Sequence, residues 1–187
     1  FITDVKDGKA SGFEADLWKT IFDSVKGDLK SYRFEKVDEG YTLEEDGGFF
    51  DSTDREYSAC LLLGAVSKNT GTFNKDYSYT EPIISDRVIT LVPKNSKIKS
   101  YSDFEGAKVA VVGDIAKTAF DKNSAISSVC ASVNTVSLDD AVNSLGTKYD
   151  AVVVDELTYC PTENAKSEKF DVLNGELDTI EYVIACA

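Results

Sequence analysis

Short apolar segments alternate with helix-forming segments between residues 108 and 155, and this alternation constrains the fold more than any other feature. The order is a strand at KVAVVG, a helix through AKTAF, a strand around CASVNTV, a helix at LDDAVNSLG and a strand at DAVVVD. Ser137 and Asp140 form a capping-box pattern before the second helix, and Gly146 is placed to end it. Strands this apolar, alternating with helices, predict an α/β sheet covered on both faces.

The remainder of the chain predicts a second set of elements. GFEADLWKTIFDSVKG predicts an amphipathic helix that ends at Gly27. Its apolar face contains Leu17, Ile21, Phe22 and Val25. LKSYRFEKV alternates as a half-buried strand does, SACLLLGAV predicts a short buried strand, and IISDRVITLVPK predicts a long strand. The polar connector KNSKIKSYSDFEG follows, with one helical turn predicted at SDF. These segments are sufficient for one large domain or two small lobes.

The charge balance indicates which partners the chain is suited to bind. The sequence has 20 basic and 33 acidic residues, for a formal net charge of −13, and the acids are scattered along the chain. Such a surface repels phosphate backbones and anionic membranes, so no nucleic-acid partner is expected. Cationic or zwitterionic partners fit better. The longest apolar runs, ACLLLGAV and DAVVVD, are too short to span a bilayer.

Histidine is absent, and the four cysteines lie far apart without a C-x-x-C pair. A zinc site is therefore poorly supported, and we expect no metal and no cofactor. Without histidine, acid-base chemistry near neutrality would need carboxylate, Lys, Tyr or Cys side chains with shifted pKa values. The four cysteines are compatible with disulfides and with free buried thiols.

Four motifs occur together in one order: GFEADLW, DYSYTEP ahead of a long strand, SYSDFEGAKVAVVG and KYDAVVVDE. In this order and spacing the chain resembles the amino-acid-binding family of bacterial extracytoplasmic solute-binding proteins, over nearly its whole length. The resemblance implies an α/β type II periplasmic-binding-protein fold, in which two lobes are joined by two crossing strands and enclose a ligand cleft. The same fold forms ligand-binding cores of ionotropic glutamate receptors and external sensor domains.

The resemblance also implies lobe boundaries. Lobe one is expected at residues 1–87 plus 182–187, and lobe two at 93–180. The hinge strands are expected at 88–92 and about 180–183. Compared with the family pattern, the chain is expected to lack the first strand and the closing helices of lobe one.

The family holds the ligand's α-carboxylate with an arginine in the loop after GAV. The position that matches this arginine is Gly71, or Thr72 if the alignment slips by one residue, and neither can supply a guanidinium. Lys68 is a candidate replacement as a point charge, or a solvated loop lysine. The second carboxylate contact in the family comes from a helix start, which here is VGDIAKT. Its expected hydroxyl position falls on Asp114 or Ile115, and Asp114 is either a helix cap or a cleft acid that favours cations.

Asp155 matches the acid that receives the ligand's amino group in the family. Its place at the carboxyl end of a buried strand supports this role independently, because open α/β sheets bind ligands there. The alternative is a cap for a helix that begins at Glu156. By the same resemblance, Phe1 and Tyr41 are expected to pack on the ligand, or to belong to the lobe-one core. The main chain at Gly64 and Val66 is expected to contact the ligand.

We therefore predict extracytoplasmic binding of a small amine-bearing solute for ABC-type uptake, with a membrane permease as partner. The main alternative is the external ligand-sensing domain of a membrane signalling protein. Dehydratase activity is disfavoured, because the adjacent acids Asp155 and Glu156 should diverge, and a module that has lost its ligand is a further alternative. The family topology also places Cys60 and Cys186 as neighbours, and Cys130 with Cys160 in lobe two.

Overall fold

The computed structural model describes residues 2–28, 31–34, 49–50, 56–57, 61–63, 66–67, 78–166 and 169–186. The chain divides into two compact units, Phe1–Ile84 with Glu181–Ala187 (unit 1) and Ser85–Ile180 (unit 2). The strands are β1 Asp4–Lys6, β2 Lys9–Ser11, β3 Phe49–Phe50, β4 Glu56–Tyr57, β5 Leu61–Leu62, β6 Ser78–Tyr79, β7 Ile84–Pro93, β8 Lys108–Val111, β9 Ser132–Thr135, β10 Ala151–Asp155, β11 Phe170–Val172, β12 Asp178–Tyr182 and β13 Ala185–Cys186. The helices are α1 Phe13–Val25, α2 Gly113–Lys122, α3 Ser124–Ser127, α4 Leu138–Ser144 and α5 Glu156–Tyr159, with a 3₁₀ turn at Tyr101–Asp103.

Unit 2 is built on a six-stranded mixed sheet in the order β11-β7-β10-β8-β9, with β12 also paired to β7. β8 runs parallel to both β9 and β10, whereas β7 runs antiparallel to β10. The predicted α/β class and the predicted alternation of elements are confirmed. Ser137 caps α4 by accepting a hydrogen bond from the backbone N–H of Asp140, as predicted, and Gly146 follows that helix at a φ of 86°.

The apolar runs of this sheet are buried on both faces. Ala110, Val152 and Val154 belong to a core cluster with Ala141 and Val142 of α4. The alternate residues Val109, Val111 and Val153 are also fully buried, and so is Phe120 of α2. Because side chains alternate across a strand, this double coverage explains why the strands are continuously apolar.

Unit 1 begins with the β1–β2 hairpin, which the sequence analysis missed. Its turn is Asp7-Gly8, with φ of 52° and 72°. An Asp-Gly pair between strands is a strong hairpin signal because this turn needs two positive φ angles.

The aromatic residues of unit 1 pack on α1. The rings of Phe22 and Tyr32 lie 4.6 Å apart, and those of Tyr32 and Phe34 lie 5.5 Å apart, centroid to centroid. Ala15 is the buried apolar centre of the helix, while Val25, predicted to lie on the buried face, is exposed at the helix end.

The predicted strand LKSYRFEKV is not found in its described part, residues 31–34. The expected alternation is nevertheless present, because Phe34 is buried and Tyr32 packs beside it. The N–H of Phe34 donates to the carbonyl of Gly8 at 3.0 Å, so this segment is attached to the hairpin turn rather than to a sheet.

The chain passes between the two units at residues 84–85 and 180–181. The first passage lies before the predicted hinge at 88–92, because Val88–Leu91 pair with β10 inside the sheet of unit 2. The second passage lies within the predicted segment 180–183.

The Asp7-Gly8 turn is open to a direct test. We expect Gly8→Ala to lower the free energy of unfolding by about 1–2 kcal/mol, because a Cβ is strained at positive φ. A Cβ there would also lie 2.8 Å from Cγ of Arg33. Gly27→Ala is the control, since a Cβ at Gly27 meets no atom within 4 Å. Urea unfolding of both variants measures the difference, and equal stability of Gly8→Ala and wild type would contradict the turn geometry.

Candidate functional site

Three acidic residues lie at one edge of the unit 2 sheet, which we call the carboxyl edge. β8 and β10 run parallel, with Val111 paired to Val153, so Asp155 at the end of β10 and Asp114 shortly after β8 both lie at the carboxyl ends of neighbouring strands. β7 runs in the opposite direction, which places Asp86, near its start, at the same edge. Two predicted site residues, Asp114 and Asp155, therefore share this edge with an acid that the sequence analysis did not single out.

Asp155 is both the last residue of β10 and the N-cap of α5. Its Oδ2 accepts a hydrogen bond from the backbone N–H of Thr158 at 2.9 Å. The capping alternative is thus present in the structure. The predicted ligand contact stays compatible with this cap, because an ionised carboxylate has about four acceptor sites and the cap uses one.

Asp114 lies in the first turn of α2. Its predicted capping role is wrong, because the N-cap residue is Val112 and its side chain forms no capping hydrogen bond. Gly113 precedes Asp114 at a φ of 78°, a conformation that glycine adopts without strain and that turns the strand into the helix. Asp114 is exposed, and its carboxylate is favourable beside the positive end of the ten-residue helix.

Asp86 is the most buried acid at the carboxyl edge, with 2% of its surface exposed. Its Oδ1 accepts the backbone N–H groups of Arg87 at 2.7 Å and of Leu157 at 3.2 Å. Burial raises the pKa of this carboxyl, the two N–H groups oppose the shift, and the charges of Asp155 and Glu156 add to it. The signal in the sequence that could have identified Asp86 is the presence of an acid inside the apolar segment IISDRVITLV.

Arg87, which follows Asp86, forms an ion pair with Glu156, which follows Asp155. Nε of Arg87 donates to Oε2 of Glu156 at 2.7 Å, and Nη2 donates to Oε1 at 2.5 Å. This two-pronged contact lowers the pKa of Glu156. Asp155 and Glu156 therefore have different partners, as the sequence analysis expected of these adjacent acids.

Val66 is buried, and its carbonyl accepts the N–H of Val183 at 2.8 Å. Its contact with the ligand stays a prediction. The other predicted contacts lie outside the described residues. These are Phe1, Tyr41, Gly64, Lys68, Gly71 and Thr72.

The cysteines and acids provide no metal centre in the part of the chain that the structure describes. Cys130 and Cys160 are free thiols, and burial raises the pKa of each. Cys186 pairs with Leu61 across β13 and β5, while its predicted neighbour Cys60 is not among the described residues. Within the same described ranges, no helix is long and apolar enough to cross a membrane.

The architecture is shared with solved amino-acid-binding proteins. The GluR0 ligand-binding core in complex with L-glutamate matches with a TM-score of 0.61 and 19% identity, over 97% of this chain and 78% of its own. A histidine-bound substrate-binding protein of an ABC uptake transporter from Streptococcus pneumoniae matches with a TM-score of 0.62 and 17% identity, over 98% and 73%. The chain has the type II periplasmic-binding-protein fold.

Other comparisons limit what this fold implies. Tv2483 bound to L-arginine matches with a TM-score of 0.50 and 20% identity, over 59% of this chain and 46% of its own, so the chain spans less than half of that protein. No protein-family model matches the sequence. At such identities the periplasmic-binding-protein fold is shared, and the ligand must be argued from the site.

The capping role of Asp155 can be separated from its charge. We expect Asp155→Ala to lower the free energy of unfolding by about 1 kcal/mol, because the cap of α5 is lost, whereas Asp155→Asn should cost little, because asparagine caps as well as aspartate. Urea denaturation at neutral pH measures both, with Ser137→Ala at the start of α4 as a positive control. A large loss with Asp155→Asn would mean that the charge itself stabilises the fold.

Asp86 should make wild-type stability depend on pH in an unusual direction. Because the folded-state pKa of Asp86 lies above its ordinary value of 3.8, its contribution to stability falls as pH rises from that value through the folded pKa. Glu156, with a lowered pKa, contributes in the opposite direction. We therefore expect the difference in melting temperature between wild type and Asp86→Asn to become less favourable to wild type as the pH rises above about 4. A constant difference would contradict the burial of an ionisable Asp86.

Proposed function

We propose that the chain binds a small solute with a cationic nitrogen outside the cytoplasm, as the substrate-binding component of ABC-type uptake. The observation that carries this proposal is the carboxyl edge of the sheet, where Asp155 lies with Asp86 and Asp114. In open α/β sheets this edge is where ligands bind. A cationic nitrogen is the group that these carboxylates would attract.

The sequence also indicates that the chain holds a carboxylate group of the ligand only weakly. Gly71 and Thr72 stand where the resemblance expects an arginine, and Asp114 stands where it expects a hydroxyl. A buried ligand carboxylate without a partner costs several kcal/mol. The proposed ligands are therefore an amine, a modified amino acid or a small peptide-like metabolite. An ordinary α-amino acid held by Lys68 and the N–H groups of α2 is the alternative within this proposal.

The neighbours support the class of ligand without choosing one. The solved proteins with this fold are described as bound to L-arginine, histidine and L-glutamate, so the fold accommodates cationic and anionic amino acids. The net charge of −13 favours the cationic group, because it raises the local concentration of cations around the chain. In this proposal units 1 and 2 correspond to the two lobes, and a membrane permease is the partner.

A sensing domain is the second candidate, and one comparison favours it. The GluR0 match is a ligand-binding core rather than a transporter component, at a TM-score of 0.61. Ligand binding would then bias a signalling partner instead of delivering a solute. We infer no enzymatic activity for either candidate, because the adjacent acids Asp155 and Glu156 are engaged separately by the Thr158 N–H and by Arg87.

Binding can be tested by thermal shift. The panel contains L-arginine, L-lysine, their carboxylate-free counterparts agmatine and cadaverine, other common L-amino acids and quaternary amines. A ligand at about 100 times its dissociation constant adds roughly 2.7 kcal/mol to the free energy of unfolding, which gives a clear shift. We expect the cationic compounds without carboxylates to raise the melting temperature, and Asp155→Asn to abolish that shift.

Asp171→Asn is the matched control, because Asp171 is an exposed acid on β11 of the same sheet. It removes the same charge away from the carboxyl edge and should leave the shift unchanged. Stabilisation by α-amino acids alone would replace the amine hypothesis with the Lys68 alternative. No shift with any compound would overturn the proposed function.

A further inference from the structure

Asp86 carries a buried carboxylate oxygen whose hydrogen-bonding capacity is unused. Among the described residues, Oδ2 of Asp86 has no hydrogen-bond partner, although the residue is only 2% exposed. Its other oxygen accepts the N–H groups of Arg87 and Leu157. A buried polar atom without a partner costs about 1–3 kcal/mol, and more when it is charged, so this arrangement is costly.

Asp86 and Asp155 lie on the same face of the sheet. Asp155 is paired with Val88, and Asp86 is two residues before Val88 on β7. Side chains two residues apart on a strand point to the same face, which makes Asp86 the diagonal neighbour of Asp155. Such diagonal positions are separated by about 7–8 Å, close enough for their charges to act on one ligand group.

The neighbouring cation is already engaged. Arg87 is on the opposite face of β7 and contacts Glu156 through two hydrogen bonds. Among the described residues, the charged or titratable groups that act on or near Asp86 are Arg87, Asp155, Glu156 and Cys160. Two of these are carboxylates, and burial raises the pKa of the Cys160 thiol, which leaves it uncharged near neutral pH. Two carboxylates on one face therefore remain undercompensated.

A metal ion does not fit this arrangement. A group of at least three His, Cys, Asp or Glu residues that could hold a metal is absent from the described ranges, 78–166 included. A single cationic nitrogen needs fewer ligands than a metal and suits two carboxylates at this separation.

We propose that Asp86 is a specificity-determining residue for the cationic ligand that the proposed function assigns to Asp155. Asp155 contacts the cationic nitrogen, while the buried charge of Asp86 attracts the same nitrogen electrostatically over about 7–10 Å, without a direct hydrogen bond. The two backbone hydrogen bonds hold the Asp86 carboxylate in place and attach the start of β7 to α5, the helix that Asp155 caps. This inference rests on the proposed function, because it concerns the same ligand.

The test measures affinity for L-arginine, L-lysine, agmatine and cadaverine by thermal shift and isothermal calorimetry. Asp86→Asn keeps an oxygen acceptor for the Arg87 and Leu157 N–H groups and removes the charge. We expect it to weaken cation binding by roughly 15- to 50-fold, as for a charge at about 7–10 Å in an effective dielectric constant of about 20. Asp171→Asn, which removes an exposed charge from the same sheet, should not weaken binding.

The pH profile separates an electrostatic role from a merely structural one. A cation near Asp86 stabilises the ionised form, so wild-type affinity should rise as pH increases through the titration of Asp86. In Asp86→Asn this part of the rise should disappear. Asp86→Ser repeats the comparison if the asparagine variant does not fold, and the wild-type profile needs no variant.

The outcomes distinguish this inference from the function on which it rests. If cations bind wild type and Asp86→Asn equally well, with the same pH profile, the inference is overturned while the proposed function stands. Equal weakening by Asp171→Asn would also overturn it, because the effect would then reflect net charge. If no cation binds wild type, the proposed function and this inference are both overturned.

Discussion

The pairing of β10 between β7 and β8 is the constraint on which unit 2 depends. β10 is parallel to β8 and antiparallel to β7, and Val152–Val154 are fully buried between the helices. A strand this apolar would expose its side chains to water if it were the outermost strand of the sheet. Its central position therefore determines that its carboxyl end meets the end of β8 and the start of β7.

The charge distribution at that edge follows from the pleat of the strands. Arg87 and Glu156 lie on one face and satisfy each other, whereas Asp86 and Asp155 lie on the other. A one-residue change of register would exchange the two faces, because the side-chain period of a strand is two. The same register thus buries the valines of β10. It also places the Arg87–Glu156 ion pair on one face and the acids Asp86 and Asp155 on the other.

Asp155 has a structural role that leaves room for its proposed binding role. The residue caps a four-residue helix, which holds its carboxylate in a defined orientation at the end of β10. Ligand-binding groups need such support, because a loosely held side chain loses conformational entropy on binding. The cap and the proposed contact are therefore complementary uses of one carboxylate.

Local patterns in the sequence predicted most of unit 2. Apolar runs, the Ser137 cap and Gly146 are short-range signals, and the elements that they indicate are present. The Asp7-Gly8 hairpin was equally local and was missed because its strands are only three residues long. LKSYRFEKV was mispredicted in its described part, since alternation marks a buried face but not the partner that it packs against.

By itself, the sequence determined the α/β class, the order of elements from β8 to β10 and the acid at the end of β10, because these depend on periodicity and on neighbouring residues. Only the tertiary structure decided that Asp86, 69 residues before Asp155, lies at the same edge with a buried oxygen that lacks a partner in the described chain. It likewise decided that Arg87 pairs with Glu156. The physical reason is that strand order and register are set by non-local burial, which no local pattern encodes.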